Sequence, residues 1–293
     1  MDPWFALVTH YMDRDEEKVD VALRRLLEGG AIPDDIMDYS YNMLASLDEN
    51  AILITNGDMD TYPGWILMRL LKHRPDVTIA NRSLLNTDWY PFMLMEAGLP
   101  KFITRSGLEE LRAGILEKIK AEKESVPSYG LYGDTLIVRL IEAAAREGRP
   151  VYFASTLFSS EVINRYLDQG RHLGLVTLVT PPAESYRSQL RHILNIWIHD
   201  YRTGGLDSWH LRHSREGTFG RQLALNYAAG LYQLMDVILD QAPNYRLDLF
   251  HWYRKHLLEL IPPQHVDELN KMWCRSTDIQ EIRDWCGRQG YLE

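Results

Sequence analysis

Asp58 and Asp60 are the first residues whose type and spacing suggest chemistry. They are two carboxylates two positions apart in the string Thr55-Asn56-Gly57-Asp58-Met59-Asp60-Thr61-Tyr62-Pro63. Such a pair can hold a divalent cation, Mg2+ or Mn2+, that bridges the phosphates of a nucleotide sugar. An aspartyl-phosphate hydrolase would use the first Asp as a nucleophile, but there the Asp leaves its strand directly, whereas here Asn56-Gly57 intervene. The third reading is local, an Asx turn plus a helix cap in which the carboxylates hold their own loop. Short acidic motifs recur by chance, so the three readings stay open.

Two other strings have the same character. Asn81-Arg82-Ser83 leads through Leu84-Leu85 into Asn86-Thr87-Asp88-Trp89-Tyr90, and Ser155-Thr156 follows a third apolar run. If the three apolar runs are neighbouring parallel strands, their carboxyl-terminal loops meet, which is where open α/β sheets bind ligands. The candidate ligand set is therefore Asn56, Asp58, Asp60, Asn81, Ser83, Asn86, Asp88, Trp89, Tyr90 and Ser155. Trp65, Trp89 and Tyr90 offer stacking faces, and the carboxylates and amides offer hydrogen bonds. In a catalytic reading, Asp58 and Asp60 are metal ligands and Asp88 is a candidate base. The histidines form weaker patterns: His192 and His199 beside Asp200, and His210 and His213 beside Asp207, with no HExxH to complete a metal set. No GxGxxG, Walker A or GxSxG string occurs, and Asn81-Arg82-Ser83 is formally a glycosylation sequon.

The elements that must position these loops follow from periodicity. Residues 4–30 read as one or two helices, stopped by Gly29-Gly30. A helix after Pro33 places Ile36, Tyr39, Met43, Leu44 and Leu47 on one face. Ala51–Thr55 reads as a buried strand. A helix capped by Thr61 follows, with Pro63 in its first turn, Ile66, Leu67, Leu70 and Leu71 as its buried stripe, and basic residues in its last turn. Val77–Ala80 is the next strand, which makes a βαβ unit. Helices over 107–124, 134–147 and 161–167 alternate with strands over 151–154 and 175–179, and only helical periodicity remains after Tyr186. The expected fold is α/β, a parallel or mostly parallel βαβ-based sheet flanked by helices. The chain divides into N-terminal helices (1–32), an α/β domain (33–182) and a helical extension (186–293).

A net charge of −9 with no basic stripe argues against a nucleic-acid partner. No apolar run approaches the roughly 20 residues that span a bilayer, and the N-terminus carries no signal-peptide pattern. The two cysteines, Cys274 and Cys286, are too far apart for a CxxC motif and are expected to be free thiols in a reducing compartment, so the expected location is cytoplasmic.

The strings above also resemble a known family. From MDYSYNML onward the sequence is similar to the soluble C-terminal region of large bacterial membrane proteins described as protein-O-mannosyltransferase-like, a functionally uncharacterised family. The shared pattern includes Thr55, Asn56, Gly57, Asp58, Asp60, Thr61, Pro63 and Trp65, then Asn81 and Ser83–Thr87, then Trp89 and Tyr90. GRPVYFAST at 148–156 and Gly204–Asp207 extend the resemblance over about 37–240. Met59, Tyr62 and Arg82 depart from it, Arg82 standing where an apolar residue is usual. The resemblance implies an α/β domain followed by helices like a tetratricopeptide array. It carries over no glycosyl-transfer activity, because that label belongs to the family's membrane-spanning part. The resulting expectation is recognition of a polar, carbohydrate-like or nucleotide-like small molecule or glycan. The alternatives are a metal-dependent glycosyl transferase or hydrolase, and a scaffold that binds a protein partner through 186–293.

Overall fold

The computed structural model describes residues 3–122, 132–213, 218–241, 258, 261 and 263–292. Short apolar runs with polar flanks become strands and longer periodic ones become helices, so the chain is α/β. In order these are α1 (Pro3–Met12), α2 (Glu16–Glu28), α3 (Asp34–Ala45), β1 (Ile52–Thr55), α4 (Asp58–Arg69), β2 (Thr78–Asn81), α5 (Tyr90–Glu96), α6 (Arg105–Glu122), α7 (Gly133–Arg146), β3 (Val151–Ala154) and α8 (Glu161–Gln169). They are followed by β4 (Arg171–Leu173), β5 (Val176–Leu178), α9 (Tyr186–His199), α10 (Trp209–His213), α11 (Phe219–Gln241), α12 (Pro263–Ser276) and α13 (Gln280–Arg288). Short 3-10 turns occupy Leu84–Asn86 and Gly204–Asp207.

The sheet order is β2-β1-β3-β5-β4. β1 pairs in parallel with β2 (Ile52 opposite Thr78) and with β3 (Ile52 opposite Val151), while β3 pairs antiparallel with β5 (Tyr152 opposite Leu178). Every residue of β1 and β3 is buried, as expected of central strands covered on both faces. The last strand's direction was not readable from its three residues, Val176-Thr177-Leu178. Gly174, at φ +76°, supplies the left-handed turn that brings the chain back after β4.

The chain forms two compact units. One comprises Met1–Pro33, Leu47–Arg171 and Val176–Pro182; the other comprises Asp34–Ser46, His172–Leu175 and Ala183–Glu293. In the second unit, Asn42 of α3 clamps the backbone of Arg202. Its Oδ1 accepts the Arg202 N–H at 2.7 Å, and its Nδ2 donates to the Arg202 carbonyl at 2.6 Å and to the Tyr227 hydroxyl at 2.7 Å. Of the expected face of α3, Ile36, Tyr39, Met43 and Leu44 are buried on the helix, while Leu47 is buried beyond its end at Ala45.

Three expectations need correction. α4 begins at Asp58 rather than after Thr61, so Pro63 lies well inside the helix and Thr61 is no cap. α4 also ends at Arg69, before Lys72 and Arg74 turn left-handed at φ +56° and +50°, which leaves Leu71 outside the helix and 52% exposed. Finally, Cys274 and Cys286 are not free thiols: they form a disulfide, with Cα atoms 5.8 Å apart. Two helices and a tight turn bring together positions that a test for CxxC spacing treats as unrelated.

Candidate functional site

β1, β2 and β3 are adjacent and parallel, so their carboxyl-terminal loops converge as the sequence suggested. What holds them together is a set of hydrogen bonds between the loops themselves. The Asn56 N–H donates to Asp60 Oδ2 at 2.8 Å and the Gly57 N–H to Asp60 Oδ1 at 2.9 Å, while Thr156 Oγ1, after β3, donates to Oδ2. Asp60 is the third residue of α4, so its carboxylate reaches back to the N-cap position as in a capping box. Gly57 is extended, at φ −149°, and open space surrounds the position of an added Cβ, so the turn does not need glycine.

The remaining polar groups of the knot are equally engaged. The Asn56 carbonyl accepts from Ser83 Oγ at 2.9 Å, and Asn56 Oδ1 accepts from the Phe158 N–H at 3.2 Å. Asn81 Nδ2 donates to Thr61 Oγ1 at 2.9 Å, and Asn81 Oδ1 accepts the Leu84 N–H at 2.9 Å. Asn81 is fully buried, so the sequon cannot present its amide to a glycosylating enzyme. The buried Tyr90 hydroxyl accepts the Asn81 N–H and donates to the Ile79 carbonyl. Asn86 Oδ1 accepts the Tyr132 and Gly133 N–H groups at 3.1 and 2.8 Å, which pins the start of α7. A Cβ on Gly133 would fall 2.8 Å from Asn86 Nδ2, so glycine permits that approach.

Burial pushes the Asp60 carboxyl above its ordinary value, against the three hydrogen bonds that favour its charged form. Asp58 instead sits exposed at the first position of α4, beside the Tyr62 phenol, whose pKa is raised by burial first and by the Asp58 carboxylate second. The two carboxylates thus point into different environments and do not share one open site. Among the described residues, no three His, Cys, Asp or Glu side chains group as metal ligands. His192 and His199 are exposed on α9, and His213 stacks on Trp209. Ser83 and Ser155 are exposed, as is Phe158, which is 53% exposed and whose backbone is held on both sides, by Asn56 and Arg82.

Sequence reasoning missed two features. The first is Arg82, nearly buried, whose guanidinium grips Asp134 of α7 through Nε–Oδ1 at 2.7 Å and Nη2–Oδ2 at 2.9 Å. The second is a cavity of about 340 Å3 beside the knot. Asp88 and Trp89 of the candidate set line it, together with Phe92 of α5 and Glu109 of α6. Three arginines also line it: Arg14 from the α1–α2 turn, and Arg105 and Arg112 from α6. The Arg105 guanidinium lies over the Phe92 ring at 4.6 Å from its centroid, and Arg112 approaches Asp88 at 3.5 Å. No short motif could have flagged these arginines, because they come from distant stretches of chain.

No curated protein and no solved structure matches this chain. One family model does, TMEM260-associated domain 2, over residues 36–96 from α3 to the end of α5, and this match replaces the resemblance to the bacterial protein-O-mannosyltransferase-like family drawn from the sequence.

Proposed function

We propose that the α/β unit recognises a small polar molecule, carbohydrate-like or nucleotide-like, in the cavity beside Trp89, with the strand-end knot as its rigid support. The observation that carries this reading is the composition of a cavity of about 340 Å3. Trp89 and Phe92 supply ring faces, Asp88 and Glu109 supply acceptors for hydroxyl groups, and arginines supply directional donors. A volume of this size suits one sugar ring or one nucleotide. The knot supports the cavity from behind, because Asn86 and Tyr90, on either side of Asp88 and Trp89, are both fixed by hydrogen bonds. Asp60 works in this reading as an architectural residue, since its oxygens already accept three hydrogen bonds. The disulfide supports placing the chain in an oxidising compartment rather than the cytoplasm.

The test is calorimetric titration of the whole chain with a panel of monosaccharides and nucleotides, repeated on Trp89→Ala and Asp88→Ala. Heat from at least one member of the panel is expected in the wild type and is lost in both variants while their melting temperatures hold. A wild type that binds no panel member, or variants that bind unchanged, would overturn the reading.

A further inference from the structure

Seven of the thirteen arginines of the first compact unit form two contrasting sets. Arg69, Arg74, Arg82 and Arg149 are saturated by protein acceptors. Arg69 bonds Glu16 and Asp20, Arg74 bonds Asp76 and the carbonyls of Leu47 and Asp48, Arg82 bonds Asp134 and the Phe158 carbonyl, and Arg149 bonds Thr78 and the carbonyls of Asn50 and Gly98. Arg14, Arg105 and Arg112 differ. Among the described residues Arg14 donates one hydrogen bond, to the exposed Glu96, Arg112 meets Asp88 only at 3.5 Å, and Arg105 has an aromatic ring and no carboxylate partner. Yet these are the three that line one cavity.

Gathering three guanidinium groups around one space costs mutual repulsion, and their exposed ion pairs offset little of it. A compact anion bound between them would relieve that repulsion and take up planar, paired N–H donors. The cavity also holds two carboxylates, Asp88 and Glu109, which would repel a bare anion but accept hydrogen bonds from hydroxyl groups. We infer that the ligand is an anionic sugar, one ring bearing a single phosphate or carboxylate, whose charge lies between Arg14, Arg105 and Arg112 and whose hydroxyls face Asp88 and Glu109. This rests on the cavity reading above and names its ligand class. Arg105 is the anchor, because its side chain is already ordered over Phe92 while its N–H edges have no carboxylate to bond.

The experiment titrates the whole chain by calorimetry, at low and at physiological salt, with a hexose phosphate, a hexuronate, the parent neutral hexose and inorganic phosphate. One of the two charged sugars is expected to bind at least tenfold more tightly than both the neutral hexose and inorganic phosphate, and which one does so identifies the anion. Arg105→Gln, an exposed position, should weaken that binding by about tenfold, the loss of a charge-assisted hydrogen bond, and weaken neutral-hexose binding by less. If the neutral hexose binds as tightly as the charged sugars, the anion inference falls and the cavity reading stands. If inorganic phosphate alone binds, the anion site is an unspecific one and the inference falls as well. If no probe binds at all, the anionic-sugar inference falls, and the cavity reading falls with it only if the nucleotides of the panel above do not bind either.

Discussion

Arg82 and Asp134 form a bidentate ion pair in which both side chains are nearly removed from solvent, 3% and 11% exposed. The pair joins the loop after β2 to the start of α7. It extends further, because Arg82 Nη1 donates to the Phe158 carbonyl at 2.8 Å and Ser160 Oγ donates to Asp134 Oδ2 at 2.7 Å. Two fixed charges in so dry a place are stable only together. Arg82→Met should therefore destabilise by about 3–5 kcal/mol, since it strands the Asp134 carboxylate. The double variant Arg82→Met with Asp134→Leu should recover much of that loss. Denaturant unfolding of the two single variants and the double measures the coupling. A double variant as unstable as the sum of the singles would show that the pair contributes no mutual stabilisation.

Asp58 and Asp60 look alike in sequence, and their surroundings separate them. Removing the Asp60 carboxylate leaves two backbone N–H groups and the Thr156 hydroxyl without their acceptor. Asp60→Ala should cost about 2–3 kcal/mol, combining a lost cap with unsatisfied buried donors. Asp58 is exposed, and Asp58→Ala should shift the melting temperature by little. Thermal melts of the two variants decide it, and a larger loss from Asp58→Ala would reverse the assignment.

Much of this arrangement was legible in the sequence. Ile52–Thr55, Thr78–Asn81 and Val151–Ala154 are short apolar runs ended by polar residues, and the rule for parallel strands brings their following loops together. Asp60 was also legible as a helix-entry carboxylate, although α4 starts earlier than its Thr61 and Pro63 suggest, because the Gly57 N–H donates to Asp60 Oδ1 and fixes the first turn further back. The content of the site was less legible. Asn56, Asn81 and Asn86 look like ligand contacts in a string of letters, but once the loops meet their side chains bond the Thr61 hydroxyl and neighbouring backbone. Arg82 looks like a surface charge until Asp134, 52 residues later, is packed against it. Arg14, Arg105 and Arg112 each look like ordinary solvated residues, and only the tertiary fold makes them a cluster.

Acid should attack the amino-terminal ends of the strands before it attacks the knot. Asp76 accepts Arg74 through Nε at 2.9 Å and Nη2 at 2.8 Å, and it also accepts the Asn50 N–H at 3.0 Å. The Arg74 hydrogen bonds hold its carboxyl well below the ordinary carboxylate range. A depressed folded-state pKa gives stability that is present above the unfolded value, about 3.9, and is lost as pH falls toward the folded value. Asp60 works the other way. Its raised value means that its ionised form costs stability, so the cost appears as pH rises through the unfolded value and is absent in acid. Melting temperature measured from pH 6 downward should therefore fall less steeply below about pH 4 in Asp76→Asn than in the wild type. Parallel curves for the two proteins would remove Asp76 from the account.

The disulfide makes a prediction about both stability and cellular chemistry. Cys274 on α12 and Cys286 on α13 are fully buried, and the residues that precede them in the chain, Trp273 and Trp285, are buried as well. Their bond closes a loop with a sequence separation of 12, and chain-entropy arguments give a cross-link of that length about 3 kcal/mol of stabilisation. Replacing both cysteines by serine should lower stability by about 2–4 kcal/mol, the serine hydroxyls adding a small cost because they enter a space without water. The oxidation state can be read directly. Protein taken from its native source and denatured in the presence of a thiol-alkylating reagent should gain no label, and after reduction it should gain two, one for each cysteine in the sequence. Two labels without reduction would place the chain in a reducing compartment, with α12 and α13 held by packing alone.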